Sequence, residues 1–286
     1  MLPPHQTQYV NHDGLRLFTR HCGEPGALPI LILHGLSYFS YDWLPIASRL
    51  AVDREVVAMD LRGFGESDWS PQRAYGLRDF AGDAVAVLDH YGWEQAIIVG
   101  HSMGGRIALC TTHWHPERIA GLACLDFAPD VAPAGRMGVA KRIGNQPDWF
   151  ASVDEALSYH GHPADLPADH PQRLRYEAFL KPGPEGFQLR RDLHFRDTFL
   201  ETLQTGKPAP SKVDLWAMVQ TLKVPTLFVR GLESDMFEMD TIAKLEQSNS
   251  LVETLQIVGT HDLAGDNPDG VVQAVQTLAQ RCAQMP

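Results

Sequence analysis

The chain has 286 residues, 44% of them hydrophobic and 21% charged, with a formal net charge of -11. That composition is ordinary for a soluble globular protein, and a chain this long buries a substantial core without disulfides or metals. The acidic balance argues against nucleic acid as a partner, because phosphate binding wants clustered Lys and Arg.

No apolar run approaches the roughly 18 residues of a membrane span, and the first eleven residues lack the basic and apolar regions of a signal peptide. The four cysteines, Cys22, Cys110, Cys124 and Cys282, form no CxxC pair and no metal spacing; Cys110 and Cys124 sit in apolar segments and read as reduced core thiols. The expectation is a cytoplasmic protein with no membrane contact and no metal.

Residues 9–20 read as a β-hairpin, with Asp13-Gly14 as the turn between two alternating strands. Residues 29–33, a wholly apolar run, predict a strand covered on both faces, ended by His34-Gly35. A second strand spans 55–60 and leads into Leu61-Arg62-Gly63-Phe64-Gly65-Glu66-Ser67-Asp68. Leu77, Phe80, Ala81, Ala84, Val85 and Leu88 recur at helical spacing. A buried strand over 96–99 precedes a helix over 103–115, which Pro116 stops, and another strand follows over 119–125. This alternation is what a parallel sheet requires. It breaks between 128 and 213, a proline- and aromatic-rich stretch too long for a structureless loop. It returns as strands over 225–229 and 255–258 and a closing helix over 271–279. The expected organisation is a core of residues 1–127 and 214–286, with 128–213 inserted as a small helical lid.

Gly100-His101-Ser102-Met103-Gly104 fits G-x-S-x-G. The pattern alone is weak, but here it follows an apolar strand and opens a helix, the setting of a nucleophile elbow. Serine needs a base to act as a nucleophile near neutral pH. Of thirteen histidines, His261 stands out because it follows the last strand, in Val258-Gly259-Thr260-His261-Asp262, and residues just past the strand ends of a parallel sheet converge on its active site. His101 reads as structural. His34 reads mainly so, with a possible substrate contact. Arg190, Arg191 and His194 read as a solvated basic stretch in preference to a carboxylate site.

On His34-Gly35-Leu36, the loop 61–68, Gly100 to Gly105, and Gly259-Thr260-His261 with Asn267-Pro268-Asp269, the chain resembles the α/β-hydrolase superfamily over nearly its full length. The resemblance implies an α/β fold with a mostly parallel doubly wound sheet. It also implies a Ser102–His261 pair and an oxyanion hole from the backbone N–H groups of Leu36 and Met103. The superfamily's usual acid stands three residues past the glycine that ends the strand over 225–229. That glycine is Gly231, and the third residue on is Ser234; Asp235 comes one later. Asp126, ending the strand after the nucleophile helix, is the rival. It resembles a subset that takes its acid there and keeps serine at the usual site, as in the amidohydrolases of vitamin B6 breakdown and some small bacterial esterases. The offset puts Asp126 ahead, with Asp235 as the alternative.

The expected reaction is hydrolysis of a small carboxylic ester through an acyl-enzyme, without cofactor. Amide, lactone or carbon–carbon bond hydrolysis, cofactor-free haloperoxidase or perhydrolase activity, and a non-enzymatic ligand receptor are the alternatives. A dehalogenase or epoxide hydrolase is disfavoured, since the resemblance there calls for aspartate in place of Ser102. The expected partner is a small-molecule substrate; oligomeric state is not legible.

Overall fold

The computed structural model describes residues 2–207, 213–236 and 238–285. Eight strands form one sheet. A hairpin, β1 (Gln6–His12) and β2 (Leu15–Cys22), turns through Asp13 and Gly14, both at positive φ (50° and 77°), as a two-residue turn of the mirror-image type requires. Then come β3 (Ile30–Leu33), helix α1 (Leu44–Leu50), β4 (Val56–Met59), α2 (Leu77–His90), β5 (Ala96–His101), α3 (Met103–Trp114) and β6 (Ile119–Leu125).

Between β6 and the next strand of this sheet lie α4 (Pro133–Gly144), α5 (Val153–Tyr159) and α6 (Pro171–Phe179). They are followed by a hairpin of β7 (Leu180–Gly183) and β8 (Gly186–Leu189), then α7 (Leu193–Thr205) and α8 (Leu215–Gln220). The chain ends with β9 (Thr226–Gly231), α9 (Met239–Ser248), β10 (Val252–Ile257), the single turn α10 (Leu263–Asp266) and α11 (Pro268–Ala283).

The sheet order is β1-β2-β4-β3-β5-β6-β9-β10. The pairs from β4 to β10 are parallel, and only β1·β2 and β2·β4 are antiparallel. Successive residues of the central strands face opposite layers. Leu31, Leu33, Val57, Met59 and Ile98 join the core under α2 and α3. Ile30, Ile32, Val56, Ala58, Ile97 and Val99 join the core under α1 and α11. That double burial explains why these strands read as unbroken apolar runs. The chain goes from β3 to β4 on one side and then crosses to β5 on the other. The crevice between the carboxyl ends of β3 and β5 is therefore the switch point where such sheets bind ligands.

Two elements depart from the sequence reading. The expected strand over 255–258 is β10, three residues earlier at its start. It is an edge strand paired only with β9; beyond Val252 its residues are exposed or half-buried, and Val258 lies outside it, largely exposed. The segment 128–213 holds, besides helices, the hairpin β7–β8, whose four-residue strands around Pro182 and Gly183 are too short to show alternation. Residues 208–212 of the expected insertion lie outside the described residues. A third apolar cluster, including Phe150, Leu157, Tyr176, Phe179 and Leu189, packs within this segment and against Phe39 of the core. All four cysteines are free and buried. Among the described residues, no helix is long and apolar enough to cross a membrane.

Candidate active site

Ser102 sits between β5 and α3 with φ 54° and ψ -115°, a backbone conformation that L-residues rarely adopt. The flanking glycines make this possible. A Cβ on Gly100 would fall 2.2 Å from the Gly104 carbonyl oxygen, and one on Gly104 would fall 2.2 Å from that of Leu33. Strand, turn and helix thus approach closer than any side chain allows, which pushes the serine outward.

The Ser102 hydroxyl donates to His261 Nε2 at 2.9 Å. His261 Nδ1 donates to Asp126 Oδ2 at 2.6 Å. A carboxylate only accepts, so the proton rests on Nδ1 and Nε2 is left to receive the serine proton. Asp126 has no solvent exposure. Its Oδ1 accepts from the Gly231 N–H at 3.0 Å, and its Oδ2 also accepts from the Ser234 hydroxyl at 2.5 Å. Burial works to raise this carboxyl. The hydrogen bond and charge of His261, with the Ser234 and Gly231 donors, outweigh burial and hold it below the ordinary carboxylate range.

The competing carboxylate does not reach His261. Asp235 is exposed and its backbone lies against Gly135 of α4. The position three past Gly231 is occupied by Ser234, whose hydroxyl turns back to Asp126 instead.

His101 is fully buried, and its Nε2 donates to the His261 carbonyl oxygen at 2.8 Å while the two rings stand 4.8 Å apart. It therefore braces the histidine from behind. Burial, with the neighbouring His261 charge, pushes His101 down to about 3, so it stays neutral.

His34 does not line the cavity, so the substrate contact that the sequence left open is not made. It has no exposure; Nδ1 donates to the Gly35 carbonyl at 2.7 Å and Nε2 accepts from the Leu61 N–H at 3.0 Å. Both ring nitrogens are spent on the backbone. Burial pushes its pKa down to about 4.

Leu36, in the loop after β3, and Met103, the first residue of α3, line the same cavity as Ser102. Among the described residues, no acceptor takes up either N–H. For Met103 this follows from its place at the helix start, where the first N–H groups lack intrahelical partners. Gly35 brings the loop in: a Cβ there would fall 2.7 Å from His101 Nδ1 and 3.2 Å from Ser102 Cβ. Arg175 of α6, a residue with no sequence signal of its own, holds this loop from outside. It donates to Asp42 at 2.6 and 2.9 Å and to the Ser37 carbonyl at 3.1 Å.

The cavity has a volume of about 960 Å³. Phe127, Phe195, Phe199, Leu215 and Trp216 make much of its wall apolar, and Arg106 and Arg136 also face it. The basic stretch expected to be solvated lies outside this cavity and is only partly solvated. Arg190 pairs with Glu66 at 2.9 Å, Arg191 is 5% exposed and donates to Gln146 at 2.5 Å, and the His194 ring stacks on Tyr75. Sequence reading missed Arg106 although its spacing was a signal: four residues past Ser102 on a helix is the same face one turn on.

Residues 29–265 match the family model for the α/β hydrolase fold, and the chain belongs to that family. Its relatives are hydrolases. Human epoxide hydrolase 4 is 34% identical, across 94% of this chain and 77% of its own. A 3-hydroxybutyrate-oligomer hydrolase of Cupriavidus necator is 26% identical, across 87% of this chain and 88% of its own. The crystal structure of E-2-(acetamidomethylene)succinate hydrolase superposes with a TM-score of 0.81 at 22% identity, covering 97% of this chain and all (100%) of that one, a likeness of fold.

Proposed function

We propose that this protein is a serine hydrolase that cleaves a carboxylic ester through an acyl-enzyme. The observation that carries the reading is the unbroken hydrogen-bond chain from Ser102 through His261 to Asp126, with Ser102 and Asp126 on the wall of a cavity that Leu36 and Met103 also line. His261 Nε2 takes the Ser102 proton as the hydroxyl attacks the ester carbonyl carbon. The carbonyl oxygen becomes an oxyanion against the Leu36 and Met103 N–H groups, each worth about 3 kcal/mol in the transition state. Asp126 keeps the imidazole in the accepting tautomer and stabilises the imidazolium that forms. The C–O bond breaks, the alcohol leaves with the proton from His261, and water repeats the sequence on the acyl-enzyme.

Ser102 argues against epoxide opening, despite the relatives that carry that name. Serine attack on an epoxide carbon leaves an ether, which has no carbonyl for water to attack. An ester linkage to the enzyme needs a carboxylate nucleophile in that position.

In this reading, residues 128–213 act as a lid over the 1–127 and 214–286 core. Support comes from α4 and α7, which supply Val139, Thr198 and Phe199 to the cavity wall. The substrate is a small molecule, since the cavity is of the size that small-molecule sites have. Four free, buried thiols fit a cytoplasmic setting.

The test is turnover of nitrophenyl esters with acyl chains of two to twelve carbons by the wild type and Ser102→Ala. Turnover that vanishes in the variant supports the reading. A wild type inert towards the whole series, or an equally active variant, refutes it.

A further inference from the structure

The Leu36 N–H belongs to a four-residue turn, Gly35 to Tyr38, closed by the Tyr38 N–H on the Gly35 carbonyl at 3.1 Å. Past the turn, the core fixes the loop: the Ser40 N–H donates to the buried Asp60 carboxylate at 2.6 Å. The turn itself is gripped from segment 128–213. Arg175 of α6 gives Nε and Nη2 to the two oxygens of Asp42 at 2.6 and 2.9 Å, and Nη2 also donates to the Ser37 carbonyl at 3.1 Å. Asp42 in turn accepts from the Phe39 N–H at 3.3 Å. The Arg175 side chain is 19% exposed and that of Asp42 9%, and the guanidinium carbon stands 5.4 Å from the ring centre of Phe179 and 5.9 Å from that of Phe39. Shielding of this kind strengthens a charge-assisted fork and stiffens it. Arg173, two residues earlier on α6, instead pairs with Asp154 and Glu177 of its own segment.

We propose that Arg175 is a positioning residue for the oxyanion hole, setting where the Leu36 N–H points by holding the Ser37 carbonyl and Asp42. The proposal rests on the acyl-transfer reading above. Among the described residues nothing accepts the Leu36 N–H, so that amide is placed by the rest of its turn. The turn has two central residues to set, Leu36 and Ser37, and the Ser37 carbonyl lies two peptide units past the Leu36 N–H. Fixing one therefore fixes the other. An oxyanion donor works only when it is held in place before charge develops, and small misplacements are costly. Segment 128–213 thus reaches the chemistry through the backbone of the oxyanion loop, besides lining the cavity.

The experiment compares wild type, Arg175→Met, Asp42→Asn, their double variant and Arg173→Gln, each checked for folding by circular dichroism. Methionine keeps the aliphatic stem and removes the fork. On a nitrophenyl ester, Arg175→Met should lower kcat about tenfold to a hundredfold with KM within about threefold. Asp42→Asn should shift kcat in the same direction, and the double variant should be no slower than the worse single. Arg173→Gln should match the wild type. An alkyl trifluoromethyl ketone bonds the Ser102 oxygen at its carbonyl carbon, its own oxygen becomes an oxyanion, and the serine proton passes to His261. Its affinity should fall in step with kcat/KM. The corresponding alcohol, which Ser102 cannot attack, should bind unchanged. A folded Arg175→Met with wild-type kcat, or one that weakens ketone and alcohol alike, overturns the proposal. If Arg175→Met does not fold, the same comparison on Asp42→Asn decides.

Failure of the underlying reading is separable. Hydrogen exchange of the peptide over 34–39 reads the loop without any turnover, and fluorophosphonate labelling of wild-type Ser102 tests acyl transfer without the variants. Suppose exchange is about tenfold or more faster in Arg175→Met but not in Arg173→Gln, while the wild type hydrolyses no ester and takes no label. That result upholds the positioning and refutes acyl transfer. Ester turnover by the wild type, with kcat and exchange both unmoved in Arg175→Met, does the reverse.

Discussion

The Ser234 hydroxyl and the His261 imidazole bond the same oxygen of Asp126, Oδ2, at 2.5 and 2.6 Å. Ser234 itself is fixed by the Met236 N–H at 3.1 Å. A serine thus occupies the place from which an acid would otherwise face the histidine, and it stabilises the carboxylate that does so. Removing the hydroxyl leaves Asp126 buried with one donor fewer, a loss of about 1.5 kcal/mol. Ser234→Ala is expected to lower kcat roughly tenfold with little change in KM. Steady-state kinetics on a nitrophenyl ester checks this, and an unchanged kcat would contradict it.

The two candidate acids, Asp126 and Asp235, should separate sharply in function. Asp126→Asn keeps the shape but reverses the hydrogen-bond preference of the site and favours the wrong imidazole tautomer. A drop in kcat of about 10⁴ is expected. Asp235 is exposed and its carboxylate lies beside Gly138 of α4, so Asp235→Asn should stay within about twofold, the usual scale of a surface change. The opposite ranking would show that the histidine takes its acid from β9 and not from β6.

Gly35→Ala probes the oxyanion loop. The added methyl would fall 2.7 Å from His101 Nδ1 and 3.2 Å from Ser102 Cβ, so the loop carrying the Leu36 N–H has to move. Misplacing one oxyanion donor costs roughly 10² to 10³ in kcat. Circular dichroism confirms folding while kinetics reads the loss. Full activity in a folded variant would place the oxyanion elsewhere.

Stability should fall as pH drops below the ordinary histidine value of about 6.5. His34 and His101 are buried neutral, with pKa values pushed down to about 4 and about 3 by burial. Between those values and 6.5 the unfolded chain binds protons that the folded chain refuses. Stability is therefore fully present above 6.5 and lost as pH falls through that window. The loss at pH 5.5 is about 1.4 kcal/mol for each residue. Asp60 and Asp83, whose carboxyls burial raises, act in the opposite sense, so the clean readout is a difference between proteins. Urea unfolding at pH 7.5 and 5.5 should show a pH dependence about 1.4 kcal/mol smaller in His101→Gln than in the wild type. Equal dependence would mean that His101 protonates in the folded state.

What was legible in the sequence follows from where each signal lives. The place of Ser102 was local: an apolar run, five residues of motif and a helix start lie within 96–115. The sheet was legible because its central strands are buried on both sides. The acid was not settled, since Asp126 and Asp235 both follow strand ends and only the turn of Ser234 towards β6 separates them. A substrate contact by His34 stays open in the sequence because sequence does not show that the backbone of Gly35 and Leu61 consumes both its nitrogens. Arg175 and Arg136 come from a segment without periodicity, and only tertiary packing brings them to the oxyanion loop and the cavity.

The most direct measurement is the site of covalent capture. Wild-type protein treated with a fluorophosphonate should gain the mass of one phosphonyl group, mapped by peptide sequencing to Ser102. No gain is expected in Ser102→Ala, and capture should be slowed by several orders of magnitude in His261→Ala. An unlabelled wild type, or a label on any other residue, would contradict the account.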